Sequence, residues 1–380
     1  MSGPPRPDAV IVGAGIVGAA CAYELARAGL RVMVCDTAFP GSGATAAGMG
    51  HIVVMDDSPA QLALTALSRR LWADLAPGLN APCEDRAPGT LWIAADPGEM
   101  RAVEDKRALC ASVGVRAEVL DRDALAAAEP NLRPGLAGAL LVPDDRVLYP
   151  PGAARWLLEA AREHGAVIRA GVTASAVAPG SVTLHAAGRT EKTDAGAIVL
   201  AAGIDTGSLI PGLPVVPRKG HLVITDRYPG LVRHQLVELG YLHSAHTMTG
   251  ASTAFNLQPR ATGQVLIGSS RELVGRDASI NRAIVADMVR RAVEFVPRLG
   301  HCLAIRTWTG FRPATPDALP LIGAWPAVPG VWIAAGHEGL GITTATGTAA
   351  LIAAGVLGTA PPIDAAPFRP DRPMHAAEAA

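Results

Sequence analysis

Four short segments hold the residues whose types and spacing can do chemistry. The first is Gly13-Ala14-Gly15-Ile16-Val17-Gly18, a GxGxxG turn, followed by an apolar run that Asp36 and Thr37 close. Gly13 permits a tight turn, Gly15 lets backbone amides approach a pyrophosphate at a helix N-terminus, and Gly18 allows the helix to pack closely on a strand. A carboxylate at Asp36 is placed to accept hydrogen bonds from the ribose hydroxyls of an adenosine. The implied chemistry is the binding of a dinucleotide. The second segment, Gly41-Ser42-Gly43-Ala44-Thr45-Ala46-Ala47-Gly48-Met49-Gly50-His51, is too small and glycine-rich for an ordinary core element and reads as a loop touching a ligand. The third, Gly310 to Gly323, stiffens the backbone with prolines around the cation Arg312, and an arginine can grip a carboxylate through two parallel hydrogen bonds. A purely structural ion pair between Arg312 and Asp317 is the competing reading. The fourth, Gly336-His337-Glu338-Gly339-Leu340-Gly341-Ile342-Thr343, precedes an apolar helix, so its amides and the helix dipole can stabilise negative charge.

A parallel sheet must position these segments. Ala9–Val12, the glycine turn, a helical stretch to Ala28 and Arg31–Cys35 form a βαβ unit. Two more apolar strands, Ala197–Gly203 and Val331–Gly336, end in small residues as the first does and belong in the same sheet. Between them, Val215–Thr225 and Ser252–Ser269 carry Thr, Val and Ile with turn residues, as antiparallel strands do. The fold class is therefore α/β: a Rossmann-like dinucleotide-binding domain with an inserted mixed or antiparallel β-sheet domain. The first comprises 1–85, 146–210 and 310–380, and the second 86–145 and 211–309. The series Ile284, Met288, Ala292 and Phe295 is a helix's core face. Thr359 to Ala380, rich in Pro and Ala, is expected to wrap the surface or remain disordered.

Composition excludes several classes. With 33 basic and 34 acidic side chains, no global field recruits nucleic acid or an anionic membrane. Cys21, Cys35, Cys83, Cys110 and Cys302 lack CxxC spacing, so neither a disulfide framework nor a metal site is expected. The apolar start, Ala9 to Ala26, is interrupted by Glu24 and is not read as a signal peptide. A cytoplasmic location is expected, with peripheral membrane association left open. Of the ten histidines, most are expected to be structural, including His221 and His337.

The glycine turn, the 41–51 loop, the Gly310–Gly323 segment and the Ala335–Ile342 closing motif together resemble the D-amino-acid oxidase superfamily of FAD-dependent enzymes. The resemblance is strongest to its glycine oxidase and D-hydroxyproline dehydrogenase-like branch, with Gly48 to Asp57 prompting the latter. It implies an FAD-binding domain of the glutathione-reductase type and a substrate domain. It also implies hydride transfer from a small amino acid to the flavin, giving an imine. Candidate FAD contacts are Gly13 to Gly18, Asp36, Thr37, Ala44, Thr45, Ala47, Gly48, Met49, Val172, Ala202, Gly203, Gly336, His337 and Gly339 to Thr343. Arg312 is implied as the anchor of the substrate carboxylate, with Asn256, Arg271 and His51 as further substrate contacts. Two departures alter the pocket: Gly339 stands where glycine oxidases carry a second arginine, and Asn256 where they place a tyrosine. Leu266 aligns with the oxygen-activating lysine of sarcosine oxidases, a lysine that glycine oxidases also lack, so the resemblance leans toward a dehydrogenase while a quinone, a partner subunit and O2 all stay open as the electron acceptor. Two alternatives remain: a nicotinamide-dependent dehydrogenase, and a non-catalytic or electron-relay FAD subunit of a hetero-oligomer. Homo- and hetero-oligomers are both compatible with the sequence.

Overall fold

The strand Ala9–Val12 is buried along its whole length and pairs parallel on both sides, with Ala197–Leu200 and with Val32–Asp36. Near-continuous apolar strands of this kind are what a sheet covered on both faces requires. In the computed structural model, which describes residues 6–239 and 251–374, this sheet has six strands. Their order is Leu321–Ala324, Val331–Ala335, Ala197–Leu200, Ala9–Val12, Val32–Asp36 and Val167–Ala170. Leu321–Ala324 is the antiparallel member, and the rest are parallel. The helix Ile16–Arg27 packs against Pro150–Glu163 and Gly341–Leu357. Small buried residues at Gly18, Ala19, Ala22, Ala345 and Ala349 let these backbones come close. A three-stranded antiparallel sheet, Thr173–Ala178, Ser181–Ala186 and Arg189–Asp194, precedes the strand Ala197–Leu200.

A second sheet of eight strands runs Ala304–Ala314, Val216–Thr225, Val265–Arg271, Ser252–Pro259, Gln235–Glu238, Thr90–Ala94, Gly138–Val142 and Glu118–Asp121. It is antiparallel except where Gln235–Glu238 lies parallel to Thr90–Ala94, the pairing that joins its two sequence-distant pieces. The helix Arg282–Phe295 covers one face and buries Ile284, Met288, Ala292 and Phe295. Its Asn281 side chain caps it by accepting from the Ile284 amide, and Phe295 stacks on Phe255 with ring centroids 4.2 Å apart. The strand Ala304–Ala314 runs unbroken through residue 310, where the sequence suggested a domain border.

The tail wraps. Phe368 is fully buried in the core of the parallel sheet, and Arg372 grips both oxygens of Asp317 at 2.8 and 2.9 Å. Residues 375–380 of the expected wrapping segment lie outside the described residues. Among the described residues no helix is long and apolar enough to cross a membrane.

One buried acid makes the stability of this scaffold depend on pH. Burial pushes the Asp145 carboxyl up to about 7, and Thr90, Arg69 and Lys106 offset that only in part. An acid raised on folding contributes fully below its unfolded-state value near 4, and loses that contribution as the pH rises past about 7. Asp145→Asn should therefore melt above the wild type at pH 8 and lose most of the advantage by pH 5. The change amounts to about 2 kcal/mol, because each tenfold change in a protonation equilibrium is worth ~1.4 kcal/mol. Thermal melts at the two pH values test this, and a constant difference between the proteins would refute it.

Candidate active site and cofactor cleft

The C-terminal ends of the strands Ala9–Val12, Ala197–Leu200 and Val331–Ala335 open on one cavity that extends to the face of the eight-stranded sheet. Its volume of about 830 Å³ lies high in the range of ligand pockets, roughly 300–1,000 Å³. Ligands of open α/β sheets bind at this end of the strands.

The glycine turn is built to leave room for one. At Gly13, with φ of 108°, an added Cβ would stand 2.4 Å from the Ala201 carbonyl oxygen, and at Gly18 it would stand 2.0 Å from that of Gly13. Gly15 differs, because an added Cβ would meet only the Thr45 hydroxyl, at 3.1 Å. Its missing side chain therefore leaves open the approach to the cavity rather than a packing contact. Asp36 accepts from the Ala14 amide at 2.6 Å through one oxygen and from the Ala38 amide at 2.8 Å through the other. The carboxylate is thus held at the mouth of the turn with lone pairs remaining for hydroxyls.

The glycine-rich loop and the closing motif interlock over the same cavity. An added Cβ on Gly48 would stand 2.6 Å from Ile342 Cδ1, and one on Gly310 would stand 2.4 Å from Ala47 Cβ. Trp308 donates to the Ala47 carbonyl at 3.3 Å, and Thr343 donates to that of His51 at 2.8 Å. Trp72 Nε1 sits 3.1 and 3.0 Å from the carbonyls of Ile342 and Thr343. The helix Gly341–Leu357 begins without a side-chain cap and without an acidic residue in its first turn, and Gly341, Ile342 and Thr343 line the cavity. Its positive dipole end is directed at whatever the cavity holds.

Every candidate residue from the sequence lines this cavity except Ala14, Gly18 and Gly336. The Ala14 amide is taken by Asp36, and Gly18 packs on Gly13. Gly336, with φ of 77°, backs onto Thr315, whose Cγ2 would be 2.6 Å from an added Cβ. These three stand behind the lining, where they shape the turns.

Arg312 lies between two glycines. An added Cβ on Gly220 would stand 2.3 Å from its Nη1, one on Gly339 would stand 3.4 Å from its Nε, and Nη1 donates to the Ser270 carbonyl at 2.9 Å. The structural pairing with Asp317 is not made, because Arg372 occupies both oxygens of that carboxylate. Arg218 pairs with Arg312 across the two strands, so both side chains belong to the same face. Glu338 joins this group, its backbone held at φ of 49° by a hydrogen bond from its amide to the Pro313 carbonyl at 2.8 Å. Its Oε1 is 3.4 Å from Arg218 Nη1 and 3.6 Å from Arg271 Nε. Burial alone would raise the Glu338 carboxyl, but the guanidiniums of Arg271, Arg312 and Arg218 outweigh it and hold the group below the ordinary carboxylate value.

Arg218, Glu338 and Trp92, all in the lining, are not among the candidate site residues read from the sequence. Strand alternation carried a signal for Arg218: it shares the cavity face with Gly220 and Leu222, whereas Lys219 and His221 point away to Glu272, at 3.3 and 3.6 Å. For Glu338 no such signal existed, because its placement depends on a left-handed turn.

His221 and His337 are held by partners within the protein. Burial lowers His221 and His337, the latter to about 3, and each has a protein partner: Ser270 Oγ for His221 at 3.0 Å, Thr348 Oγ1 for His337 at 2.9 Å. His51 is brought to about 4 by burial and is neutral at physiological pH. Its Nε2 is buried without a partner among the described residues, as are Asn256 Oδ1, Ser269 Oγ and Trp92 Nε1 in the same lining. Buried polar atoms are normally satisfied, so four orphans around one cavity mark a place where a ligand supplies the missing partners.

The GxGxxG turn, the Asp36 carboxylate, the 41–51 loop and Arg312 line one cleft between the parallel sheet and the eight-stranded sheet. The chain belongs to the FAD dependent oxidoreductase family, DAO, whose family model matches residues 8–354. It is 30% identical to the hydrogen cyanide synthase subunit HcnC of Pseudomonas aeruginosa, over 95% of each chain. It is 28% identical to the glycine oxidase of Pseudomonas putida, over 95% of this chain and 98% of the other. The crystal structure of glycine oxidase from Geobacillus kaustophilus superposes with a TM-score of 0.86 at 26% identity, covering 98% of this chain and all of that one. The protein is thus an FAD-dependent oxidoreductase of the amino-acid dehydrogenase and oxidase class.

Proposed function

We propose that this enzyme, which oxidises the carbon–nitrogen bond of a small amino acid, holds the α-carboxylate of its substrate on Arg312 and passes the electrons to an acceptor other than oxygen. The observation that carries the reading is the setting of Arg312, fixed between Gly220 and Gly339 by the Ser270 carbonyl in the same cavity as the glycine turn. Bound FAD supplies a two-electron sink for hydride from the α-carbon. The Gly13–Gly18 turn, Asp36, the 41–51 loop and the start of the helix at Gly341 are the residues that would hold it.

The protein's own part is orientation and exclusion of water. Arg312 grips the carboxylate and so fixes which face of the α-carbon is presented. Met49, Leu222 and Leu266 form a buried apolar cluster beside the cavity, bordered by Ile224 and Trp308. His51, brought to about 4 by burial, is neutral and adds no positive charge of its own beside the substrate amine. An acyclic imine product is hydrolysed by water to a keto acid and ammonia or an amine. An anaerobic screen of amino acids for bleaching of the flavin absorbance tests the reading, and a holoenzyme that no amino acid bleaches would remove it.

The acceptor follows from Leu266, which places a hydrocarbon, not an ammonium, in the cluster under Met49. Without a cation there to stabilise developing superoxide, reoxidation by oxygen should be slow. A quinone or a partner subunit takes the electrons in this reading. Turnover with an artificial dye acceptor should exceed turnover with oxygen by at least about tenfold, the effect of ~1.4 kcal/mol in a barrier. Equal rates would overturn the choice of acceptor and leave the substrate chemistry standing.

A further inference from the structure

Ala318 stands in the cavity wall with a φ of 57°, a left-handed conformation that is unfavourable for any residue carrying a Cβ. Such a backbone persists only where its surroundings over-determine it, and residues of this kind gather at ligand clamps. Part of the restraint comes from the turn itself. The Ala318 amide donates to the Thr315 carbonyl at 3.2 Å, Thr315 Oγ1 donates to the Leu319 carbonyl at 2.8 Å, and the Leu319 amide donates to Asp317 Oδ1 at 3.2 Å. The rest comes from the tail, where Arg372 takes hold of the residues on both sides of Ala318. Its Nε and Nη2 grip the Asp317 carboxylate, Nη2 also donates to the Leu319 carbonyl at 2.8 Å, and Nη1 donates to the carbonyls of Pro320 at 3.0 Å and Arg369 at 3.1 Å. A guanidinium has five N–H donors, and every one is used here. The tail is moored independently of this contact: Phe368 is buried in the core, Ile363 packs against it, and Pro370 Cδ would lie 3.4 Å from an added Cβ on Gly323. The same turn backs the closing motif, because Thr315 stands behind Gly336.

We propose that the tail is a strap for the cofactor, and that Arg372 is a positioning residue for FAD: by clamping Asp317, Leu319 and Pro320 it holds Ala318 in its left-handed turn and so maintains the wall of the cleft in the shape that retains the flavin. Arg372 is not in the lining and acts entirely through the turn. With the clamp removed, the turn relaxes toward conformations without the Ala318 strain. FAD then binds only the fraction of molecules in which the turn is formed, and its apparent affinity falls in proportion to that fraction. The inference concerns retention of the cofactor and is independent of which amino acid the enzyme oxidises.

The test follows loss of FAD from diluted holoenzyme, separating bound from free flavin at timed intervals, beside thermal melts of the apoprotein. No turnover is required. Arg372→Ala should release FAD about tenfold faster than the wild type, the scale set by the cost of one left-handed residue with a Cβ. Arg372→Lys keeps a charge for Asp317 but cannot span the carboxylate and both carbonyls, so its rate should fall between the two. Ala318→Gly separates positioning from a general contribution to stability, because glycine adopts a positive φ without penalty. In the Ala318→Gly background, Arg372→Ala and Arg372→Lys should each accelerate release far less than they do in the wild-type background. A fall in apoprotein melting temperature caused by Arg372→Ala should persist in both backgrounds. An Arg372→Ala protein that melts lower but keeps the wild-type release rate overturns the proposal, and so does equal acceleration in the two backgrounds. Should Arg372→Ala fail to fold, Arg372→Lys carries the same comparison: faster release only where Ala318 is present supports the strap, and a background-independent rate refutes it.

Discussion

Arg312→Ala should lower kcat/KM for the best amino acid by about 2–5 kcal/mol of transition-state stabilisation, the range for truncating one member of a desolvated charge pair. The fold should survive the change. Glu338 keeps Arg218 and Arg271 as partners, so its carboxylate is not left without a guanidinium. Arg312→Lys keeps the charge without the planar fork, so it should recover only part of the loss. The discriminating measurement is the ratio of kcat/KM for the amino acid to that for its α-carboxamide. The wild type should favour the acid strongly and the alanine variant weakly. An unchanged ratio would place the α-carboxylate elsewhere, with Arg271 the first alternative.

Gly15→Val should yield a folded protein with little or no FAD. An added Cβ there touches only the Thr45 hydroxyl, at 3.1 Å, so the polypeptide can accept it, whereas a pyrophosphate drawn to the amides of the turn cannot. Gly18→Ala is the contrasting control, since its Cβ would lie 2.0 Å from the Gly13 carbonyl oxygen and the strand–helix packing itself must give way. Flavin content per chain, circular dichroism and gel filtration separate the two outcomes. Stoichiometric FAD in folded Gly15→Val protein would show that the turn does not hold the pyrophosphate.

The parts of this architecture that repeat a local rule were legible in the residues. Ala9–Val12, Ala197–Leu200 and Val331–Ala335 announce themselves as buried parallel strands by unbroken apolar runs, and Ile284, Met288, Ala292 and Phe295 announce a core face by helical spacing. What escaped notice depends on partners distant in sequence. The strands Thr173–Ala178 and Arg189–Asp194 are largely exposed and polar, so no apolar alternation marks them. Arg218 acquires meaning only when Val216–Thr225 is laid beside Ala304–Ala314 and brings it next to Arg312. Glu338 enters the sequence reading only as a member of the closing motif, and its surroundings emerge when its turn folds it among three arginines. The short polar tail likewise gave no hint that Arg372 would claim Asp317 and so release Arg312 from that pairing.

The strand Ala304–Ala314 sets a limit on modularity. At one end Ala304 pairs with Thr225 in the eight-stranded sheet, along its length Gly310 and Trp308 press on Ala47 of the 41–51 loop, and near its other end it carries Arg312. A cut at residue 310 would leave half an edge strand on each fragment, with its ladder hydrogen bonds unpaired and its apolar face bare. The substrate lobe is consequently not a cassette that can be exchanged at the sequence border. A chimera with a relative must take this strand whole, with its partner Val216–Thr225, because Arg312, Arg218 and the contact to the 41–51 loop are inherited together.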